Sequence, residues 1–507
     1  MSYVHYDRLS ALDASFLEIE DGASHMHVGS VGLFDAKPLR AAHGGIDQER
    51  IFAASESTVT QHARFRMKLA TVPLFGSHVW VDDEHFNLHY HIRFTALPAP
   101  GDVRQLKRLT GRIMSTELDR GKPLWEMWFV DGVEGDRVAI ISKAHHCIID
   151  GVSGVDLMAS MMKPVAEGAV QAPGRWLPRP APTPAQLLVD ETLRRAAAPL
   201  LLARAGRELL SDPIGSLRGA ATAAGGLAEA IGAGISPATA TPINVDIGPH
   251  RRFDWTRLDL DAVKAIKNRL GGTLNDVVLA IVAGTMRRFL RARGERVGDL
   301  DFRVMVPVNV RPDSQHGALG NRVSFLMTRL PLAERDPRQR LAKVVETTQQ
   351  LKGSQQARGA ELLEEISDRT FASLFIQMAR MGARSLSYNM VVTNVPGPPF
   401  RVYFLGSPLR EVYPLVPLFA NQGLGIALFS YDGGLYWGFN ADWDAVPDLH
   451  DVVGDVEHEF RLLADAAGTA VAAPAPAPAE PAAPKATRSA RRRAPARKTR
   501  RTRAARR

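Results

Sequence analysis

The 507-residue sequence has a single cysteine, Cys147, so no intramolecular disulfide can staple it. That scarcity fits a reducing compartment and leads us to expect a cytoplasmic protein. Long apolar runs are also missing: no stretch of 18 uninterrupted apolar residues occurs, and no spanning helix is expected. The opening MSYVHYDRLSALDASF puts His5, Asp7, Arg8 and Asp13 where a signal peptide needs an apolar core. There is no CxxC and no HExxH. The pairs His25/His27 and His89/His91, which would each share a face if they lie on strands, therefore read as ordinary polar residues, and no metal is expected. Acid is scarce in one place only. Residues 466–507 carry twelve Lys and Arg against one acid, Glu480, a charge of +11. The whole chain carries +9, so the body is close to neutral at −2. Only the tail argues for an anionic partner, and a neutral body disfavours nucleic-acid binding as the main role.

What is present is an ordinary globular composition, 45% hydrophobic and 23% charged, on a chain too long for one core. Residues 1–184 read as mixed α/β, with strand-like runs at His25–Phe34, Val79–Val81, Leu124–Val130 and Arg137–His146. DGVEGD between the last two predicts a hairpin. Residues 185–247 read as a helical crossover. Apolar residues recur there at helical spacing, Pro199 predicts a kink or break, and small residues dominate the end. Residues 248–465 form a second α/β unit. Helices are expected over Leu260–Leu270 and Leu274–Arg293, with Gly271-Gly272 between them, and buried strands over Phe302–Val310 and Asn389–Val395. A hairpin should turn at Asp432-Gly433-Gly434. Residues 466–507, rich in Ala, Pro and Arg, cannot bury enough apolar surface to fold and should be disordered.

The strongest chemical signal is His145-His146-Cys147-Ile148-Ile149-Asp150-Gly151. It follows the strand-like VAIISKA and precedes the helix-like GVDLMASMM, so the histidines sit where a strand ends. An imidazole there suits a general base, because its ordinary pKa lies near neutrality. Asp150 reads as a lock for the loop, through backbone N–H groups or one of Arg303, Arg311 and Arg322, and Gly151 permits the turn. The plain alternative is a buried strand ending in two solvated histidines. HHxxxDG should arise by chance in only on the order of a few chains per thousand. Cys147 invites a nucleophile reading. On an extended strand it would point away from His146, and a small buried hydrophobe accounts for it better. Asn275 and Asp276 open a predicted helix, where Thr273 could cap and Asp276 would favour the positive end of the dipole, so composition alone makes them structural.

HHxxxDG resembles the signature of chloramphenicol acetyltransferase-like enzymes. The flanks resemble bacterial wax ester synthase/diacylglycerol acyltransferases: LSALDASFLEIE, MHVGSVGLF, WVDDEHFNLHYHIR and LDRGKPLWEM in the first half, and IGPHRRF, GGTLNDVVLA, VPVNVR, GNRVSF and TNVPGP in the second. The likeness runs from about Tyr6 to about Leu463. It implies an α/β fold of two chloramphenicol acetyltransferase-like domains with mixed sheets, joined by the crossover, with the active site at their interface. It implies His146 as the base, His145, Asp150 and Gly151 in support, and Asn275 and Asp276 as the family's Asn-Asp pair. It further implies acyl-coenzyme A as co-substrate, no cofactor, and diacylglycerol or a long-chain alcohol as acceptor, met at a membrane or lipid-droplet surface. An enzyme of the same fold with another hydroxyl or an amine acceptor is the nearest alternative. A nucleic-acid or surface-binding protein acting through residues 485–507 is more distant. Cys147 stands where the family usually has alanine.

Overall fold

A computed structural model describes residues 5–149, 157–166, 174, 176–211, 237–309, 323–353 and 386–469. Asp150, Gly151, Arg311, Arg322 and the tail beyond 469 lie outside the described residues. Two six-stranded mixed sheets organise the rest. The first runs, in spatial order, Tyr403–Phe404, Ser407–Leu415, His27–Asp35, Arg137–His145, Trp125–Val133 and Ile92–Ala96. Only its last pair is parallel. The second runs Val323–Arg329, Arg303–Asn309, Met390–Pro396, Leu424–Tyr431, Gly434–Asp442 and Arg251–Asp259. Met390–Pro396 is parallel to both its neighbours there. A three-stranded sheet of Asp7–Arg8, His78–Asp82 and Met67–Thr71 stands apart. Each large sheet has its own apolar core.

Local chemistry explains why the elements start and stop where they do. Asp259 caps Leu260–Leu270, which ends at Gly271 with φ +90°. Thr273 caps Leu274–Ala292 in a box with Asp276. The hairpin between Leu424–Tyr431 and Gly434–Asp442 turns on Asp432 and Gly433, both with positive φ, as a tight two-residue turn requires.

Three expectations need correction. Strands Tyr403–Phe404 and Ser407–Leu415 belong to the second half in sequence, yet they complete the first sheet, where Ser407–Leu415 pairs with His27–Asp35. The helix Pro184–Ser211 runs through Pro199 unbroken, so of the expected kink or break the break does not occur. Leu88–His91 is a helical turn and not a strand, so His89 is exposed while His91 is buried.

The sheets meet closely. A Cβ at Gly111, on the helix Val103–Met114, would sit 2.8 Å from the carbonyl oxygen of Arg251, so that helix packs directly on the edge strand of the second sheet. The Arg251 N–H donates to Ser115 Oγ at 2.8 Å, and Trp255 stacks on Tyr413 at 4.8 Å.

Candidate active site

Arg137–His145 is buried along almost its whole length at the centre of the first sheet. His145 ends it, and His146 opens the four-residue helical turn His146–Ile149. The His145 N–H donates to the Leu124 carbonyl at 2.9 Å and the His146 N–H to the Met26 carbonyl at 2.8 Å. Both backbones are thus fixed by neighbouring segments. The His146 ring stacks on Phe16, centroids 3.9 Å apart and planes 25° apart. Phe16 sits on the helix Ala11–Ile19, which Ser10 caps by accepting from the Asp13 N–H at 3.0 Å. The residue is half-buried, and its Nδ1 is enclosed with no hydrogen-bond partner among the described residues. Burial, with His145 alongside, pushes the His146 pKa down to about 4. His146 is therefore neutral at physiological pH and able to accept a proton.

His145 is oriented from both sides. Its Nδ1 accepts from the Cys147 N–H at 3.2 Å, so the proton is on Nε2, which lies 3.5 Å from Glu20 Oε2. Glu20 accepts from Arg120 Nη2 at 2.7 Å and from the Met26 N–H at 3.1 Å. Burial alone would raise the Glu20 carboxyl, but the His145 and Arg120 contacts hold it well below the usual carboxylate range. His27, directly opposite His145 in the sheet, is 2% exposed; neither ring nitrogen is hydrogen-bonded among the described residues, and Nε2 lies 3.8 Å from Glu20 Oε1. Burial, and then Lys143, lower its pKa. His25 and His27 stack at 5.3 Å, as their shared face predicts.

Cys147 requires a change of reasoning. It lies in a helical turn rather than on an extended strand, and its Sγ is 2.9 Å from His145 Nδ1. It remains a buried group, 1% exposed, and burial pushes its thiol well above the ordinary value, so little thiolate exists to attack a substrate.

Asn275 and Asp276 occupy the other half. Asp276 Oδ2 accepts from the Thr273 N–H at 2.7 Å and Oδ1 from Thr348 Oγ1 at 2.7 Å. Asn275 Oδ1 accepts from Asn394 Nδ2 at 2.7 Å, tying the helix start to the strand Met390–Pro396. No hydrogen bond, ion pair or ring contact among the described residues joins either to His146. Arg303 is paired with Asp301 at 2.5 Å. Sequence reasoning assigned no role to Phe16, Glu20, Met26 or Arg120. The one signal was that all four lie in the stretches LSALDASFLEIE, MHVGSVGLF and LDRGKPLWEM.

A histidine pair thus ends a central strand of one of two mixed sheets, the arrangement expected of a chloramphenicol acetyltransferase-like acyltransferase. Residues 9–278 match the wax ester synthase/diacylglycerol acyltransferase catalytic domain, and residues 319–464 match the C-terminal domain of the same family. The chain belongs to that family and is an O-acyltransferase. It is 33% identical over 479 residues to a Mycobacterium tuberculosis H37Rv protein whose name assigns it as a diacylglycerol O-acyltransferase, covering 90% of each chain. A second protein so named in that strain is 31% identical, covering 91% of this chain and 98% of that one. The fold is shared with the wax ester synthase/diacylglycerol acyltransferase from Marinobacter aquaeolei VT8, with a TM-score of 0.63 and 24% identity over 91% of this chain and all of that one. It is also shared with the first condensation domain of the calcium-dependent antibiotic synthetase, with a TM-score of 0.57 and 17% identity over 92% of this chain and 97% of that one.

Proposed function

We propose that the chain transfers a fatty acyl group from acyl-coenzyme A to the hydroxyl of diacylglycerol, giving triacylglycerol, or of a long-chain alcohol, giving wax ester. The observation that carries this is the neutral, half-buried His146, its ring stacked on one face by Phe16, at the end of the central strand. The relatives named as diacylglycerol O-acyltransferases supply the acceptor class. In this mechanism His146 takes the hydroxyl proton as the alcohol oxygen attacks the thioester carbonyl. The C–S bond then breaks, an ester C–O bond forms, and the imidazolium returns its proton to the coenzyme A sulfur. His145 orients the base. Asp150 and Gly151 are supporting residues in this reading, and Asn275 and Asp276 hold a helix start in the second half.

Lipid acceptors reside in membranes or droplets. No helix among the described residues is long and apolar enough to cross a bilayer. In this reading the enzyme works peripherally at a lipid surface, with the basic tail contributing about 1 kcal/mol per charge near an anionic one. Nucleic acid is the rival partner for that tail. Coenzyme A release should be measured with diacylglycerol, with hexadecanol, with an amine and with no acceptor. The reading requires release that depends on an alcohol acceptor. Equal release without acceptor would make the protein a thioesterase, and preference for the amine would make it a condensation-type enzyme.

A further inference from the structure

Glu20 is the residue through which the parts around His146 are held together. It terminates the helix that presents Phe16, its own N–H donating to the Phe16 carbonyl at 3.2 Å. Its Oε1 accepts from the Met26 N–H at 3.1 Å, and the Met26 carbonyl in turn accepts from the His146 N–H at 2.8 Å. Its Oε2 faces His145 Nε2 at 3.5 Å, next to the base in sequence. The carboxylate is itself anchored by Arg120, which donates to Oε2 through Nη2 at 2.7 Å and Nε at 3.3 Å and also holds the Leu17 carbonyl at 3.0 Å. The Glu20 side chain is 11% exposed, whereas that of Arg120 is 43% exposed. A nearly buried acid thus touches the residue before His146, the backbone partner of His146, and the helix whose ring stacks on His146.

We propose that Glu20 is a positioning residue for acyl transfer: its carboxylate fixes the attitude of the His146 imidazole through Met26, His145 and the Phe16 helix, without touching either substrate. This rests on the reading of His146 as the base. The geometry makes the demand strict. A carboxylate can accept from Arg120 and from Met26 while facing the Nε2–H of His145 at 3.5 Å, because ionised it has only acceptors to offer. An amide in its place turns a donor toward one of those three donors. General-base transfer is sensitive to such displacement, since a shift of about 1 Å can cost roughly 10²-fold.

The test uses the full chain and steady-state coenzyme A release with an alcohol acceptor. Glu20→Gln should lower kcat by about tenfold to a hundredfold with both KM values within about twofold, the signature of an interaction made in the transition state. His145→Asn should behave alike. The double variant should lose little beyond the worse single variant, because both changes break one linkage. Arg120→Met, altered at a half-exposed site, should give a smaller fall of the same kind and keeps the test alive if Glu20→Gln does not fold. A Glu20→Gln enzyme with kcat within about twofold of wild type overturns the proposal, as do losses that multiply in the double variant. Full kcat in Arg120→Met does the same where Glu20→Gln cannot be obtained. His146→Ala run in parallel separates the two claims. If it stays active, the base assignment falls and the positioning claim with it. If it is dead while Glu20→Gln is unimpaired, only the positioning claim falls.

Discussion

Around His146, buried polar atoms lack hydrogen bonds among the described residues: both ring nitrogens of His27, whose Nε2 lies 3.8 Å from Glu20 Oε1, and Nδ1 of His146. Around Asn275 and Asp276 the opposite holds, with the Asp276 carboxylate and the Asn275 carbonyl oxygen all engaged by Thr273, Thr348 and Asn394. An unsatisfied buried imidazole is costly, and such groups persist where chemistry needs a poised acceptor. A saturated capping box stabilises a helix start. On the proposed function, the difference separates a half that would handle protons from a half whose Asn-Asp pair secures a helix start.

The largest break of this comparison is His146→Ala, which should reduce transfer by roughly 10²–10⁴-fold with the fold retained by circular dichroism. Acid should come next, and it should act on one half. His25, His27, His78, His91 and His146 all have pKa values lowered by burial, and all lie in the first half. A histidine depressed in the folded state binds more protons when unfolded. Its contribution is full above about pH 6.5 and is lost as pH falls. His91, 1% exposed and pushed down to about 4, should alone remove about 2 kcal/mol by pH 5. Hydrogen exchange at pH 5 and pH 7 should show protection lost first in His27–Asp35 and Arg137–His145, while Leu424–Tyr431 and Gly434–Asp442 hold. Simultaneous loss in both sheets would erase the distinction.

Asp276→Ala should cost about 1–2 kcal/mol through the lost capping box. Its activity should fall together with Tm and recover on cooling. Activity lost at unchanged Tm would move Asp276 into the chemistry. Cys147→Ala should do least, with turnover within about twofold and stability within about 1 kcal/mol, as for deletion of a small buried group. Intact mass spectrometry after incubation with acyl-coenzyme A should find no acyl adduct on the wild-type chain. A stoichiometric thioester on Cys147 would replace direct transfer by a covalent route.

Local pattern made much of this legible. Helix Leu260–Leu270 matches its expected bounds because Asp259 and Gly271 mark its ends within the sequence. The Asp432-Gly433 turn and the strand leading into His145 were equally local. The structural reading of Asp276 came from the Thr273 cap and its place at the positive end of the helix dipole, and the observed capping box agrees with it. What escaped depends on distant partners. Nothing near Ser407–Leu415 indicates that its edge pairs with His27–Asp35. Glu20 meets Arg120 and His145 from a hundred residues or more away, so its importance has no local signature. The burial of His91 also depends on distant partners: a helical turn stands at Leu88–His91, and the ring stacks on Phe86 and Trp125.

The dependence of kcat/KM on pH tests the central claim most directly, because it reports the ionisation of the free enzyme. Initial rates should be taken from pH 4 to 8, with folding monitored at each pH. The account predicts that activity per folded molecule holds well below pH 6.5, with an acid limb near pH 4 that is absent from the residual activity of His146→Ala. A limb centred near 6.5, or one that survives unchanged in His146→Ala, would contradict a desolvated, neutral His146 as the base.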